Sequence, residues 1–272
     1  MSQNPEKSNP VPEEMESPEA KELVPFDAGF VSEKGTHHIV NQDSYLVDGE
    51  NGIFLVADGM GGHSKGEQAS QLSCESFAKR LKSRNRGKLN KGDLQQMVAD
   101  LDVEVRKQWE NDEGKPPGST LTGIVEIDGE WWLVHVGDSR VYRWRDGKLE
   151  QLTQDHTWAE WMNYEPGTVG YEKLSNVLLN SIGGGKNLSK SMVDVAQLDR
   201  QLGDLYIIAS DGIAKTGEID STELIAKVLK MMTDRDASAE QIAAQLVQYV
   251  QQAVPSGKRR DDITVGVLQD QK

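Results

Sequence analysis

Acidic residues standing at the ends of short apolar runs constrain this chain more than any other feature. Asp58 follows Ile53-Phe54-Leu55-Val56-Ala57 and precedes Gly59-Met60-Gly61-Gly62. Asp138 follows Leu133-Val134-His135-Val136-Gly137, and Asp211 follows Leu205-Tyr206-Ile207-Ile208-Ala209-Ser210. Asp261 and Asp262 come directly before Ile263-Thr264-Val265-Gly266-Val267, and Asp43 before Ser44-Tyr45-Leu46-Val47. Runs of this length, bounded by Gly, Asp or Asn, predict strands, as do Leu121–Val125, Trp131–Val136, Val141-Tyr142 and Ile263–Leu268. Asp128-Gly129 and Asp146-Gly147 lie between such runs and predict tight hairpins.

Helical spacing occurs elsewhere. Ala69, Leu72, Phe77 and Leu81 share one face of a helix predicted after Ser64. Leu94, Met97, Leu101 and Val105 share one face of a second, with Asp93 as the expected cap. Leu224, Val228 and Met232 mark a third, and Ile242, Leu246, Tyr249 and Ala253 a fourth. Two helices precede the hairpin-rich middle and two follow it. Hairpin-linked strands with segregated helices predict an α+β fold, with sheets in the centre and helix pairs outside. Residues 1–24 are rich in Pro, Glu, Ser and Asn and are expected to be a disordered acidic tail. Residues 25–272 read as one domain.

A carboxylate at a strand end sits on rigid backbone, and a neighbouring glycine lets the chain turn sharply. Any single Asp-Gly is more often a turn than a ligand. Four or five such acids from distant segments are hard to explain as turns alone. Gathered together they repel one another unless hard divalent cations such as Mg²⁺ or Mn²⁺ compensate. Zinc spacing of the HExxH kind is absent, as are a GxxxxGK[ST] loop and a GxSxG elbow. The single cysteine, Cys74, excludes an internal disulfide and a thiolate cluster, and no basic neighbour favours a nucleophilic thiolate. A net charge of −14 disfavours nucleic acid and anionic membranes. No apolar run approaches the ~20 residues of a membrane helix. The amino terminus lacks a basic start and apolar core, so a secretory signal is not expected and a cytoplasmic location is.

The string VADGMGGHSKGEQAS (56–70) resembles the signature of the metal-dependent protein phosphatases, the type 2C serine/threonine family, in its bacterial form. NQDS (41–44), GSTLTG (118–123), HVGDSRVYRW (135–144), QLTQDHT (151–157), NVLLNSIGG (176–184), GDLYIIASDGI (203–213) and DDITVGV (261–267) support it in the same order. The resemblance implies two antiparallel sheets packed as a sandwich, flanked by helix pairs in α-β-β-α layers, with metals in a cleft at one end. It implies that Asp58 bridges two core ions, Gly59 contributes its main-chain carbonyl, and Asp211 and Asp261 complete the core carboxylates. Asp43 matches an acid acting through metal-coordinated water, and Asp138 an acid associated with a third ion. The reaction implied is hydrolysis of phosphoserine and phosphothreonine in proteins, with Mn²⁺ or Mg²⁺ lowering the pKa of a shared water towards neutrality.

Some positions depart from the family pattern. His38 stands where an arginine usually grips the substrate phosphate. Histidine is neither permanently charged nor forked like arginine, so phosphate binding is expected to be weaker, with Lys34 or His37 as substitutes. The alternative is that His38 is a surface residue. Met60 occupies the place of a histidine general acid, while His63 and His156 are more often structural. Asp262 replaces an asparagine and either raises metal affinity or adds repulsion. Residues 158–190 correspond to a variable flap whose Trp158, Trp161 and Tyr164 either select peptides or pack the flap onto the body. The expected partner is a phosphorylated protein, with a cognate bacterial kinase opposing a monomeric phosphatase. A pseudophosphatase that only binds phosphopeptides, and a phosphatase for small phosphate esters, are the alternatives.

Overall fold

The computed structural model describes residues 26–36, 38–61, 65–111, 116–184, 187–214, 221–255 and 257–270. The acidic tail, His37 and His63 lie outside the described residues. In chain order the elements are β1 (Phe26–Glu33), β2 (Asp43–Asp48), β3 (Ile53–Met60), α1 (Lys65–Lys82), α2 (Lys91–Gln108), β4 (Gly118–Ser119), β5 (Leu121–Ile127), β6 (Glu130–Val136), β7 (Arg140–Arg145), β8 (Lys148–Gln151), α3 (Trp158–Trp161), α4 (Val169–Leu174), β9 (Asp194–Gln197), β10 (Leu205–Ala209), α5 (Ser221–Thr233), α6 (Ala239–Ala253) and β11 (Ile263–Asp270). One sheet runs β1-β11-β10-β7-β8 and the other β2-β3-β5-β6-β9, with β4 on β3. The pairings between these strands are antiparallel.

Strand alternation builds the layers. Because successive side chains point to opposite faces, Ile53, Leu55 and Ala57 pack with α1 and α2, while Phe54 and Val56 pack between the sheets. Leu205, Ile207 and Ala209 likewise face α5 and α6, while Tyr206 and Ile208 face inward. Three cores result, and four layers follow from them. The α+β sandwich expected from the sequence is therefore the one observed.

Both Asp-Gly turns occur at the expected hairpins, with Asp128 at φ 54° and Asp146 at φ 51°, the left-handed conformation that Asp tolerates. The cap of α2 differs from expectation. Asn90 is the N-cap and accepts from the Gly92 and Asp93 amides, while Asp93 reaches back to the Asn90 amide as the third residue of a capping box. β1, β8 and β9 were not apparent as apolar runs; they are edge strands with few buried side chains.

Candidate metal centre

The end of the sandwich that gathers the carboxylates is fixed by strand register. Asp43, first residue of β2, lies directly opposite Asp58 on β3. β11 begins immediately after Asp262, and β10 beside it ends one residue before Ser210 and Asp211. The β6–β7 turn adds Asp138. A cleft of about 210 Å³ is lined by Asp58, Gly59, Asp138, Asp211, Asp261 and His38, among others. Five of the six proposed ligand positions thus line one cleft. Asp43 is buried beside it, where Ser210 Oγ donates to its carboxylate at 2.7 Å. Met60 and Leu178 supply apolar wall.

The backbone carrying these groups is tightly held. The Asp58 amide donates to Thr120 Oγ1 at 2.8 Å, and the Thr120 amide returns a bond to the Asp58 carbonyl at 2.9 Å. The Gly59 amide donates to the Gln42 carbonyl at 3.0 Å. A Cβ at position 59 would overlap the carbonyl oxygens of Gly66 and Gln42, so only glycine fits. Ser210 Oγ accepts from the Thr264 amide at 2.9 Å while donating to Asp43, which ties the two strand ends to the acid between them. Thr120, Gln42 and Ser210 were missed in the sequence reading. Their signal is position alone, since each adjoins or faces a motif aspartate.

Burial, with Asp211 and Asp262 as like-charged neighbours, pushes the Asp43 carboxyl up to about 7, against the lowering effect of the Ser210 and Thr264 hydroxyls. The donor set is hard oxygen throughout: carboxylates plus the carbonyl of Gly59. That set suits Mg²⁺ or Mn²⁺ and not a soft metal. Cys74 plays no part, being buried with its thiol pushed upward by burial.

His38 lines the cleft, and its Nδ1 is 3.3 Å from Asp262 Oδ2. Asp262 itself is buried and accepts the Gly35 amide at 2.8 Å and the Gln42 amide at 2.8 Å. The repulsion expected of Asp262 is felt at Asp43, and its carboxylate also does what neither expectation covered: it clamps the loop between β1 and β2 and holds the His38 ring. One atom each from His38, Asp261 and Asp262 lie within 4.8 Å of one another, so the clamp adjoins the cleft. The Lys34 ammonium turns into its own loop, donating to the Gly35 and His38 carbonyls at 3.1 and 3.2 Å.

His156 braces the cleft from outside its lining. Its Nδ1 accepts the Gly137 amide at 3.3 Å, its own amide donates to the Gly137 carbonyl at 2.7 Å, and Nε2 meets Asp194 at 3.2 Å. Its carbonyl accepts from the Leu179 amide at 2.7 Å, joining the Asp138 turn to the returning flap. Gly137 adopts φ 112°, where a Cβ would strike Thr120. The flap's far side is anchored by Asp102, fully buried in α2, which accepts the Gly183 and Leu188 amides at 2.8 and 3.0 Å. The flap aromatics divide: Trp158 is half-buried and meets Trp161 edge-on, whereas Trp161 is 60% exposed.

The protein phosphatase 2C family profile matches residues 34–251. The serine/threonine protein phosphatase PstP of Mycobacterium tuberculosis is 33% identical over 193 residues, 67% of this chain and 35% of PstP. This chain therefore spans about a third of that curated relative. The serine/threonine phosphatase stp of Listeria monocytogenes is 27% identical over 210 residues, 72% of this chain and 81% of the relative. Among solved structures, the M. tuberculosis PstP/Ppp phosphatase superposes with a TM-score of 0.73 at 26% identity, covering 91% of this chain and 99% of that one. The PstP catalytic domain in complex with two manganese ions superposes with a TM-score of 0.71 at 26% identity, covering 90% and 97%. PppA, a regulatory component of the type VI secretion system of Pseudomonas aeruginosa, does so at 0.71 and 27%, covering 89% and 96%. With the sandwich, the ordered motifs and the carboxylate-lined cleft in agreement with that match, this chain belongs to the protein phosphatase 2C family.

Proposed function

We propose that this chain hydrolyses phosphoserine and phosphothreonine in proteins, using divalent cations held at the end of its sandwich. The observation that carries the reading is the convergence of Asp58, Asp138, Asp211 and Asp261 on one cleft, with the Gly59 carbonyl beside them, in a chain of this family. Asp58, Asp211, Asp261 and Gly59 would hold two core ions, Asp43 would act through coordinated water, and Asp138 would serve a third ion. Manganese or magnesium bound there supplies an acidified water as nucleophile and neutralises phosphoryl charge. The chain's own residues do the rest. Thr120 and Gln42 fix the backbone of Asp58 and Gly59. Asp262 turns the His38 ring to the cleft rim, where it holds the substrate phosphate in place of a forked guanidinium.

Bacterial serine/threonine phosphatases among the relatives support a phosphoprotein substrate and an opposing serine/threonine kinase as its counterpart. A cytoplasmic monomer belongs to the same reading; among the described residues no helix is long and apolar enough to cross a membrane. The test is turnover of a phosphothreonine peptide, a sugar phosphate and p-nitrophenyl phosphate with and without Mn²⁺, with Asp58→Asn as control. Manganese-dependent turnover of the peptide, abolished in the variant, is expected. Phosphopeptide binding without turnover would make the chain a binding module, and faster sugar-phosphate hydrolysis would make it a small-ester phosphatase. A His38→Arg variant whose Michaelis constant for the peptide is unchanged would remove His38 from phosphate binding.

A further inference from the structure

Lys258, Arg259 and Arg260 stand in succession between α6 and Asp261. In a chain of net charge −14, several arginines elsewhere are committed to acids. Arg106 pairs with Asp102, Arg140 with Asp155, Arg145 with Asp204 and Arg200 with Asp270. Among the described residues, none of Lys258, Arg259 and Arg260 makes an ion pair, and Lys258 and Arg259 are exposed. Three adjacent like charges that make no ion pair repel one another, so folding gains little from placing them together. A ligand that brings negative charge would gain.

The placement says which ligand. The three cations line a recess of about 670 Å³ together with Thr36, Gln251 and Gln252. Its wall is pinned to the cleft loop in both directions: the Thr36 amide donates to the Arg260 carbonyl at 2.8 Å, and the Arg260 amide to Thr36 Oγ1 at 2.9 Å. Two residues beyond Thr36 is His38, and one beyond Arg260 is Asp261; both line the carboxylate cleft. Lys258 is three residues from Asp261, at most about 10 Å along the backbone, which is the reach of about three residues of extended peptide.

We propose that the Lys258–Arg260 loop is a docking subsite for acidic side chains flanking the phosphoresidue, so that the preferred substrates are phosphoproteins with Asp or Glu close to the phosphorylated Ser or Thr. The proposal rests on the phosphatase reading and names the substrate class of that same cleft. Elsewhere the protein's charge repels an acidic peptide, and this loop reverses the field at the cleft mouth.

The experiment compares kcat/KM, with Mn²⁺, for paired phosphothreonine peptides carrying three Glu or three Gln beside the phosphoresidue, on either side. The full chain is expected to favour the Glu peptide by about fivefold to tenfold, through KM, and to lose the preference at high salt. Lys258→Glu with Arg259→Glu should invert the ratio, and Lys258→Arg should keep it. Arg260, which adjoins Asp261, is left unchanged. Equal rates on both peptides in the wild type, or a ratio unmoved by charge reversal, would overturn the proposal. So would a reversal that speeds both peptides equally, which would mean that the loop holds the chain's own acidic amino-terminal residues. Manganese-dependent p-nitrophenyl phosphate turnover without peptide selectivity sinks the docking proposal alone. Absence of any turnover sinks the phosphatase reading, and fluorescence anisotropy of the labelled peptides then decides docking: binding by charge reversal-sensitive affinity keeps it, and indifference to Glu or Gln ends it.

Discussion

Asp43 and Asp204 are both buried aspartates, at opposite ends of the same sandwich, and they are treated in opposite ways. Asp204, before β10, accepts two bonds from Arg145 at 2.7 and 2.6 Å, the Gln201 amide at 2.9 Å and the Tyr206 hydroxyl at 3.0 Å. Burial works to raise its pKa, and these donors more than offset it, leaving the carboxyl below its ordinary range. Nearby, Asp270 is gripped by both arms of Arg200 at 2.8 Å. Asp43 is supported instead by hydroxyls and faces other carboxylates, and its pKa is pushed up to about 7. The far end balances its buried charge with the chain's own guanidinium groups. The cleft end concentrates acids that repel, which is a cost to the fold and a gain only when cations from solution bind.

That contrast is broken most sharply by exchanging the two kinds of aspartate. If Asp58 holds the cations as proposed, Asp58→Asn is expected to lower phosphatase turnover by about a thousandfold. Thermal stability without metal should stay level or rise, because one repelling charge is gone. A melting curve beside a rate assay checks both. Asp204→Ala should do the reverse, costing about 2–4 kcal/mol by stranding Arg145 and the Tyr206 hydroxyl, while the folded fraction keeps its rate. If denaturant titration finds Asp58→Asn the more destabilised of the two, the division of labour between the ends is wrong.

A pH series sharpens it further. Between the ordinary 3.8 of a free aspartate and about 7, folded Asp43 keeps a proton that the unfolded chain has released, so its contribution to stability falls as pH rises through that window. Buried His135 acts with the opposite sign. Burial, with the His156 ring beside it, holds it near 3, so the unfolded state takes up the proton first and stability is lost as pH drops below about 6.5. The quantity to measure is therefore the difference in melting temperature between wild type and Asp43→Asn. It should shift in favour of the variant as pH rises from about 4 to 7 without metal. A flat difference would show that Asp43 does not titrate there.

The smallest expected effect concerns His156. Asparagine places an oxygen where Nδ1 accepts the Gly137 amide, so His156→Asn should keep most activity. His156→Ala should weaken Mn²⁺ binding measured by calorimetry about threefold to tenfold, as loss of a supporting contact. Equal behaviour of the two variants would mean that the Gly137 bond does not position the Asp138 turn.

The legible part of the molecule was the part governed by local rules. Short continuous apolar runs such as Leu205–Ala209, bounded by turn residues, and the Asp-Gly turns gave the central strands and hairpins, because burial and φ > 0 act within a few residues. Edge strands such as Asp194–Gln197 escaped, since one neighbour and little burial leave no apolar pattern. The N-cap at Asn90 was missed because asparagine and aspartate cap equally well, and only the geometry assigns their reciprocal bonds.

The sequence by itself determined that acids end several core strands, that no soft-metal or nucleotide motif competes with them, and to which family the ordered motifs belong. Tertiary structure decided what each acid does. Asp261 and Asp262 are adjacent and chemically identical, yet one lines the cleft while the other is buried under two backbone amides and the His38 ring. The physical reason is distance: a carboxylate's role depends on which donors, charges and water surround it, and those neighbours come from residues up to 227 positions away along the chain.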